Sequence, residues 1–174
     1  GTNYDNIAKE NAGNLIYSEG PDSIIEDIME SLNKLNPEKE IDVVFCLDAT
    51  GSMKDDIDIL RKDLILKLKE MSNESQKIRF GLVLYRDYVD SFRFKGLPLK
   101  VYDFTQDLEI FASQLNSFSI NGREGGDIPE AVYEALYGAT EYFDWSVNAQ
   151  KKIILIGDAE PHSKPRGTPR AFPL

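Results

Sequence analysis

The stretch that decides the fold is Ile41-Asp42-Val43-Val44-Phe45-Cys46-Leu47-Asp48-Ala49-Thr50-Gly51-Ser52-Met53. Its first part is almost entirely apolar, which predicts a strand buried on both faces of a sheet. The chain then turns through polar residues and enters a stretch whose apolar residues recur at helical spacing. That apolar stripe consists of Met53, Ile57, Leu60, Leu64, Leu68 and Met71. A strand followed by a turn and a helix predicts a parallel β-α-β unit.

The rest of the chain continues this alternation. Helices are predicted over residues 22–35, 53–71, 107–118 and 129–143, and strands over residues 41–47, 78–85, 99–104 and 152–156. The sequence therefore predicts an α/β fold with a Rossmann-like, doubly wound, mostly parallel sheet and helices on both faces. Right-handed crossovers place the turns that follow the strands at one edge of the sheet.

Two regions lie outside these units. Residues 1–36 are predicted to be an N-terminal extension with one helix, in which residues 1–20 are polar and form an extension or a loose first helix. The domain proper is predicted over residues 37–174. Its tail, residues 161–174, is expected to be irregular because prolines recur through it.

Composition excludes several classes of function. The net charge is −10 with no basic stripe, which argues against binding to nucleic acid or to an anionic membrane surface. No apolar run approaches the roughly 18 residues that a transmembrane helix needs, so no membrane insertion is expected. Cys46 is the single cysteine, so we expect a buried structural thiol without an intrachain disulfide.

The polar turn after the first buried strand carries a candidate metal site. Asp48, Thr50 and Ser52 place one carboxylate and two hydroxyls on alternate residues. Oxygen donors without His or Cys suit a hard cation such as Mg²⁺, Mn²⁺ or Ca²⁺. Asp158 adds a second carboxylate if its strand neighbours the first. The alternative for Thr50 and Ser52 is simple capping of the helix N-terminus.

These residues resemble the metal-ion-dependent adhesion site of von Willebrand factor A domains, whose pattern is Asp-x-Ser/Thr-x-Ser, a distant Thr and a distant Asp. Asp48-Ala-Thr50-Gly-Ser52 matches the first element, and Asp158 in Ile-Leu-Ile-Gly-Asp matches the last. The resemblance covers about Ile41 to His162. It implies a divalent ion with one position open for an oxygen of a partner protein, commonly a carboxylate.

The sequence departs from the family pattern at the distant Thr. This region reads Gly125-Gly-Asp127-Ile-Pro129-Glu130-Ala and is similar to a Gly-Gly-x-Asp-x-Pro-Glu-Ala variant of some bacterial and animal members. The resemblance implies that Asp127 takes the place of the Thr as a metal ligand. Asp127 equally suits a helix cap, with Pro129 in the first turn and Glu130 in a capping box. Both roles remain open.

A second departure is the short sequence after Asp158, where family members usually add another strand and helix. We expect the sheet to be short at this end, or completed by residues 1–36 or by a partner. An uncovered edge strand would then be a site of self-association. Because the chain starts at Gly1 without Met, it is also expected to be an excised segment of a longer protein.

The sequence therefore predicts a metal-dependent protein-binding module and not an enzyme. Arg86 and Asp87, after the second strand, are candidates for supporting the metal ligands or for contacting a partner, and a plain loop is an equal alternative. His162 in the tail is the weakest candidate partner contact. A site with three aspartates would outweigh the charge of Mg²⁺, which favours a neutral partner oxygen or a mainly structural ion. The resemblance favours an extracytoplasmic location, although the sequence itself assigns none.

The rival prediction is a haloacid-dehalogenase-type Mg²⁺-dependent phosphatase, with Asp48 as the nucleophile and Asp158 as a metal ligand. Such enzymes usually place a second Asp two residues after the nucleophile as the general acid. Here that position is Thr50, which disfavours the rival.

Overall fold

The computed structural model describes residues 14–18, 21–74, 77–86, 94–97, 99–120 and 128–158, and for residues 14–18, 21–22, 74, 128–131 and 158 the backbone alone. The strands are β1 (Asn14–Ser18), β2 (Ile41–Asp48), β3 (Ile78–Tyr85), β4 (Leu99–Thr105) and β5 (Gln150–Asp158). The helices are α1 (Pro21–Leu32), α2 (Lys54–Ile59), α3 (Ile65–Glu74), α4 (Leu108–Leu115) and α5 (Ile128–Glu141). The strands form one sheet in the order β1-β5-β2-β3-β4.

The centre of the sheet is built from β5, β2 and β3, which run parallel. Every residue of β2 is buried, as its continuous apolar run predicted. Leu47 of β2 pairs with Ile156 of β5, and Asp48 pairs with Tyr85 of β3. The three strands therefore end together at one edge of the sheet, which we call the carboxyl edge.

Helices cover both faces of the sheet. One face packs against α1 to α4 through Ile24, Ile28, Leu32, Phe45, Leu47, Ile57, Leu64, Phe80, Leu82, Phe111 and Leu115. The other face packs against α5 through Val44, Cys46, Val83, Val132, Ala135, Ala139, Phe143, Ile153 and Leu155. The predicted doubly wound α/β fold is confirmed. Burial raises the pKa of the Cys46 thiol, which is fully enclosed in the second cluster.

The helix after Asp48 is continuous but changes its winding. A 3₁₀ turn at Gly51–Met53 leads into α2, and a π-helical turn at Leu60–Leu64 joins α2 to α3. The predicted apolar stripe faces the sheet: Met53, Leu60 and Leu68 are buried, while Met71 is partly buried at the end. The wider π turn contains Arg61, whose guanidinium donates to the carbonyls of Leu115 and Phe118.

The N-terminal part of the chain differs from its prediction. Instead of an extension or a loose helix, Asn14–Ser18 forms β1, which pairs in parallel with β5. The local signal is only the short apolar run Leu15-Ile16-Tyr17, and the pairing partner lies far along the chain. Of the two alternatives for completing the sheet, residues 1–36 or a partner, the structure shows the first, with β1 added beside β5. The predicted helix 22–35 is α1, which ends at Leu32.

Strand β4 lies at the end of the strand order away from β1, and it pairs with β3 in the single antiparallel pair among the five strands described. This agrees with a mostly parallel sheet. No helix in the described ranges is both long enough and apolar enough to span a bilayer.

Candidate metal centre

Asp48 is the last residue of β2, and the loop after it forms the candidate site. The side chains of Asp48 and Thr50 are almost fully buried, at 2% and 3% exposure, whereas Ser52 is exposed. The donor groups therefore extend from the interior of the carboxyl edge to the surface. We call residues 48–52, which carry three of the predicted metal ligands, the metal loop.

The oxygens of the metal loop stand in a connected row. Oδ1 of Asp48 accepts hydrogen bonds from the backbone N–H of Thr50 at 2.8 Å and from the Thr50 hydroxyl at 2.5 Å. The Thr50 and Ser52 hydroxyl oxygens are 3.1 Å apart. The structure thus brings Asp48, Thr50 and Ser52 together, as the alternate spacing predicted.

The capping alternative for Thr50 is not what the structure shows. Thr50 occupies the N-cap position of the 3₁₀ turn, but its side chain accepts no hydrogen bond from the turn's backbone. Its hydroxyl donates to Asp48 instead. Because the hydrogen is committed to the carboxylate, the lone pairs of the Thr50 oxygen face other directions.

The strand that carries Asp158 lies next to the metal loop. Asp158 was predicted to add a carboxylate if its strand neighbours β2, and the parallel β2–β5 pairing confirms that the two strands are neighbours. A methyl group placed on Gly157 would lie 3.9 Å from Oδ2 of Asp48 and 3.5 Å from the Tyr85 hydroxyl. The end of β5 therefore runs close beside the Asp48 carboxylate. The side chain of Asp158 itself lies outside the description.

Three other predicted residues, Asp87, Asp127 and His162, also lie outside the described residues, so their roles stay predictions. Asp127 directly precedes α5, which starts at Ile128. This position is compatible with a ligand and with a helix cap. In the described ranges, no three His, Cys, Asp or Glu side chains gather to hold an ion. The described donors are one carboxylate and two hydroxyls.

Arg86 follows β3 and is turned inward, at 8% exposure. Its Nε donates to the carbonyl of Ala49 at 2.8 Å, and its Nη2 donates to the carbonyl of Ser119 at 2.5 Å. Arg86 was a candidate both for supporting the metal ligands and for contacting a partner, and both roles stay predictions. Its bonds to the loop were missed because they join residues that are distant in sequence.

A second arginine, Arg61 in the π turn, donates to carbonyls in residues 115–119, the segment that contains Ser119. Its Nε donates to the carbonyl of Leu115 at 2.9 Å, and its Nη2 donates to the carbonyl of Phe118. The guanidinium also stacks over the Phe118 ring, 5.0 Å from its centroid. Arg61 and Arg86 therefore both donate to carbonyls of residues 115–119, at and after the end of α4. Arg86 links this segment to the metal loop.

The family model described as von Willebrand factor A domain matches residues 42–166, a range that contains both Asp48 and Asp158. The alpha-protein kinase vwkA of Dictyostelium discoideum is 26% identical to the chain over 162 residues. The match covers 86% of this chain and 24% of that protein, so the chain spans about a quarter of its relative's length.

Proposed function

The chain belongs to the von Willebrand factor A domain family, and from this premise we propose that it binds a partner protein through a divalent metal ion. The proposed ligands are Asp48, Thr50, Ser52, Asp127 and Asp158. The proposed ion is Mg²⁺, with Mn²⁺ or Ca²⁺ as substitutes. The observation that carries the proposal is the row of three oxygens in the metal loop, buried at Asp48 and open to solvent at Ser52.

The donor set fits a hard cation in chemistry and in spacing. Mg²⁺ takes oxygen ligands at about 2.1 Å in octahedral geometry, so neighbouring ligands stand about 3.0 Å apart. The hydroxyl oxygens of Thr50 and Ser52 are 3.1 Å apart. The shorter 2.5 Å contact between Thr50 and Asp48 is a hydrogen bond to a carboxylate, which also turns the hydroxyl lone pairs away from that carboxylate.

The division between buried and exposed donors supports a binding role. Asp48 supplies a negative charge that is withdrawn from bulk water, while the exposed Ser52 marks the side from which a partner approaches. An ion held at this edge would supply an exchangeable position where an oxygen of the partner replaces a water. The partner's contribution is thus one oxygen atom, and no covalent bond changes.

Charge selects the kind of oxygen. If Asp48, Asp127 and Asp158 all approach the ion, three negative charges surround two positive ones. The remaining field repels a partner carboxylate and favours a neutral carbonyl, amide or hydroxyl oxygen. We therefore propose that the partner binds weakly, through a neutral oxygen donor. If Asp127 stands back from the ion, the affinity for a partner carboxylate should be higher.

We also propose that this chain performs no catalysis. Thr50 stands two residues after Asp48, where the rival phosphatase would need a carboxylic acid to protonate the leaving group. The activity in the relative's name belongs to a protein of which this chain spans 24%. Interaction through the metal loop needs no acid or base.

The test compares ion binding by three forms of the protein. Calorimetry with Mg²⁺, Mn²⁺ and Ca²⁺ should give a binding heat for the unaltered chain and for Asp103→Ala, a change of an exposed carboxylate on β4. The heat should vanish for Asp48→Ala. An Asp48→Ala isotherm equal to that of the unaltered chain contradicts the proposal.

A further inference from the structure

The peptide group between Ala49 and Thr50 is held at both ends. Its carbonyl accepts a hydrogen bond from Nε of Arg86 at 2.8 Å. Its N–H, contributed by Thr50, donates to Oδ1 of Asp48 at 2.8 Å. In a trans peptide these two groups point in opposite directions. Arg86 and the Asp48 carboxylate therefore bind opposite edges of one planar, rigid peptide group.

The orientation of this plane decides where the donors of the metal loop stand. Rotating the peptide would carry the Thr50 N–H away from Oδ1 and release that carboxylate oxygen. It would also displace the Thr50 hydroxyl, which reaches the same oxygen at 2.5 Å. Arg86 is suited to prevent the rotation because its planar guanidinium is preorganised. The second bond, to the Ser119 carbonyl at 2.5 Å, anchors the guanidinium from the far side.

We propose that Arg86 is a positioning residue for the metal loop, which it orients through the Ala49–Thr50 peptide. This inference rests on the proposed function, because it concerns the same site. A charged donor on the carbonyl polarises the peptide and strengthens its N–H as a donor to Asp48. Removing a group that orients metal ligands in this way typically weakens metal affinity about 10- to 100-fold.

The chain offers a matched control in Arg61. This side chain also donates to two backbone carbonyls, those of Leu115 and Phe118. Its described hydrogen bonds go to residues 115–119, to which Arg86 also donates, and they do not involve the Ala49–Thr50 peptide. The two arginines thus share a structural task at residues 115–119, and they differ in their contact with the metal loop.

The experiment measures Mn²⁺ affinity and unfolding by urea for the unaltered chain, Arg86→Gln and Arg61→Gln. Both variants should lose stability. Mn²⁺ binding should weaken about 10- to 100-fold in Arg86→Gln and should stay within about threefold of the unaltered value in Arg61→Gln. Hydrogen exchange at the Thr50 amide should accelerate in Arg86→Gln alone. If Arg86→Gln does not fold, Arg86→Lys replaces it, with a smaller expected loss because the charge and a donor remain.

Rescue of Mn²⁺ affinity by added guanidinium separates a positioning role of Arg86 from a general loss of stability. Millimolar guanidinium should restore part of the Mn²⁺ affinity of Arg86→Ala, while the same concentration of NaCl should not. Equal Mn²⁺ affinity in Arg86→Gln and the unaltered chain overturns the inference, as does an equal loss in Arg61→Gln. If the unaltered chain binds no divalent ion, the proposed function fails instead, and Thr50 amide exchange then decides whether Arg86 holds the loop.

Discussion

Arg79 and Asp42 form a two-bond ion pair between β3 and β2, at the end of the sheet opposite the metal loop. Nε and Nη2 of Arg79 each donate to a different carboxylate oxygen, both at 2.8 Å. Asp42 is 2% exposed, and its Oδ2 also accepts the backbone N–H of Ser146 at 2.8 Å. The hydrogen bond to Asp42 raises the pKa of Arg79. The pair fixes the register at which β2 and β3 begin.

Replacing Arg79 with Met should therefore destabilise the fold without weakening the site. The Asp42 charge would remain buried without its cation, and breaking such a pair typically lowers the free energy of unfolding by about 3 to 5 kcal/mol. We expect the lower end, because Ser146 still donates to Asp42. Urea unfolding measures the loss, and Mn²⁺ calorimetry should show unchanged affinity. A double variant with Asp42→Asn should recover part of the stability, and a loss near zero in Arg79→Met would contradict the account.

Thr50 should be sensitive to the loss of its hydroxyl rather than to a change in size. Thr50→Val keeps the shape of the buried side chain but removes both the hydrogen bond to Asp48 and a proposed ligand. Mg²⁺ affinity should fall by more than about tenfold, equivalent to ~1.4 kcal/mol. Thr50→Ser, which retains the oxygen, should bind nearly as the unaltered chain does. Similar affinities for the Val and Ser variants would remove Thr50 from the ligand set.

Substitutions at Asp127 separate its two proposed roles. Asparagine caps helices about as well as aspartate, whereas alanine loses about 1 kcal/mol of capping. If Asp127 approaches the ion directly or through a water, Asp127→Asn should lower Mg²⁺ affinity while the thermal midpoint stays nearly constant. Asp127→Ala should lower both. Should the Asn variant bind the ion normally while only the Ala variant loses stability, Asp127 is a helix cap alone.

The proposal of a non-catalytic module predicts silence in a generic phosphatase assay with Mg²⁺. A small aryl phosphate should show the same hydrolysis rate with the unaltered chain as with Asp48→Asn, because neither form has a carboxylic acid at position 50. The measurement is the release of the aryl alcohol over hours. Turnover that disappears in Asp48→Asn would establish Asp48 as a nucleophile and replace the binding proposal with the rival.

The parts of the fold that were predictable are those whose signal is local. β2, β3 and β5 are long apolar runs, and the helix after Asp48 repeats its apolar residues through many turns. β1 was missed because three apolar residues do not distinguish a strand from a loop, and its pairing with β5 depends on a partner near the other end of the described chain. Long-range pairing leaves little trace in the sequence of either strand.

The same division applies to the site. The grouping of Asp48, Thr50 and Ser52 was predictable because their contacts close within five consecutive residues. The bonds of Arg86 were not, since they depend on Ala49 and Ser119 being brought to either side of its guanidinium by the sheet and by α4. An arginine after a strand gives no sign of whether it points outward or inward.

The placement of β5 between β1 and β2 has a consequence for how the protein is made. Pairing β1 with the sheet requires closing a loop of nearly the whole described chain, which is a slow step. During synthesis, β2, β3 and β4 emerge and can pair while β1 still has no neighbour. Only when β5 (Gln150–Asp158) has left the ribosome can it pair with β1 and β2, between which it lies in the sheet. The metal loop therefore gains the strand beside Asp48 last, so the proposed ion binding should appear only after β5 has left the ribosome.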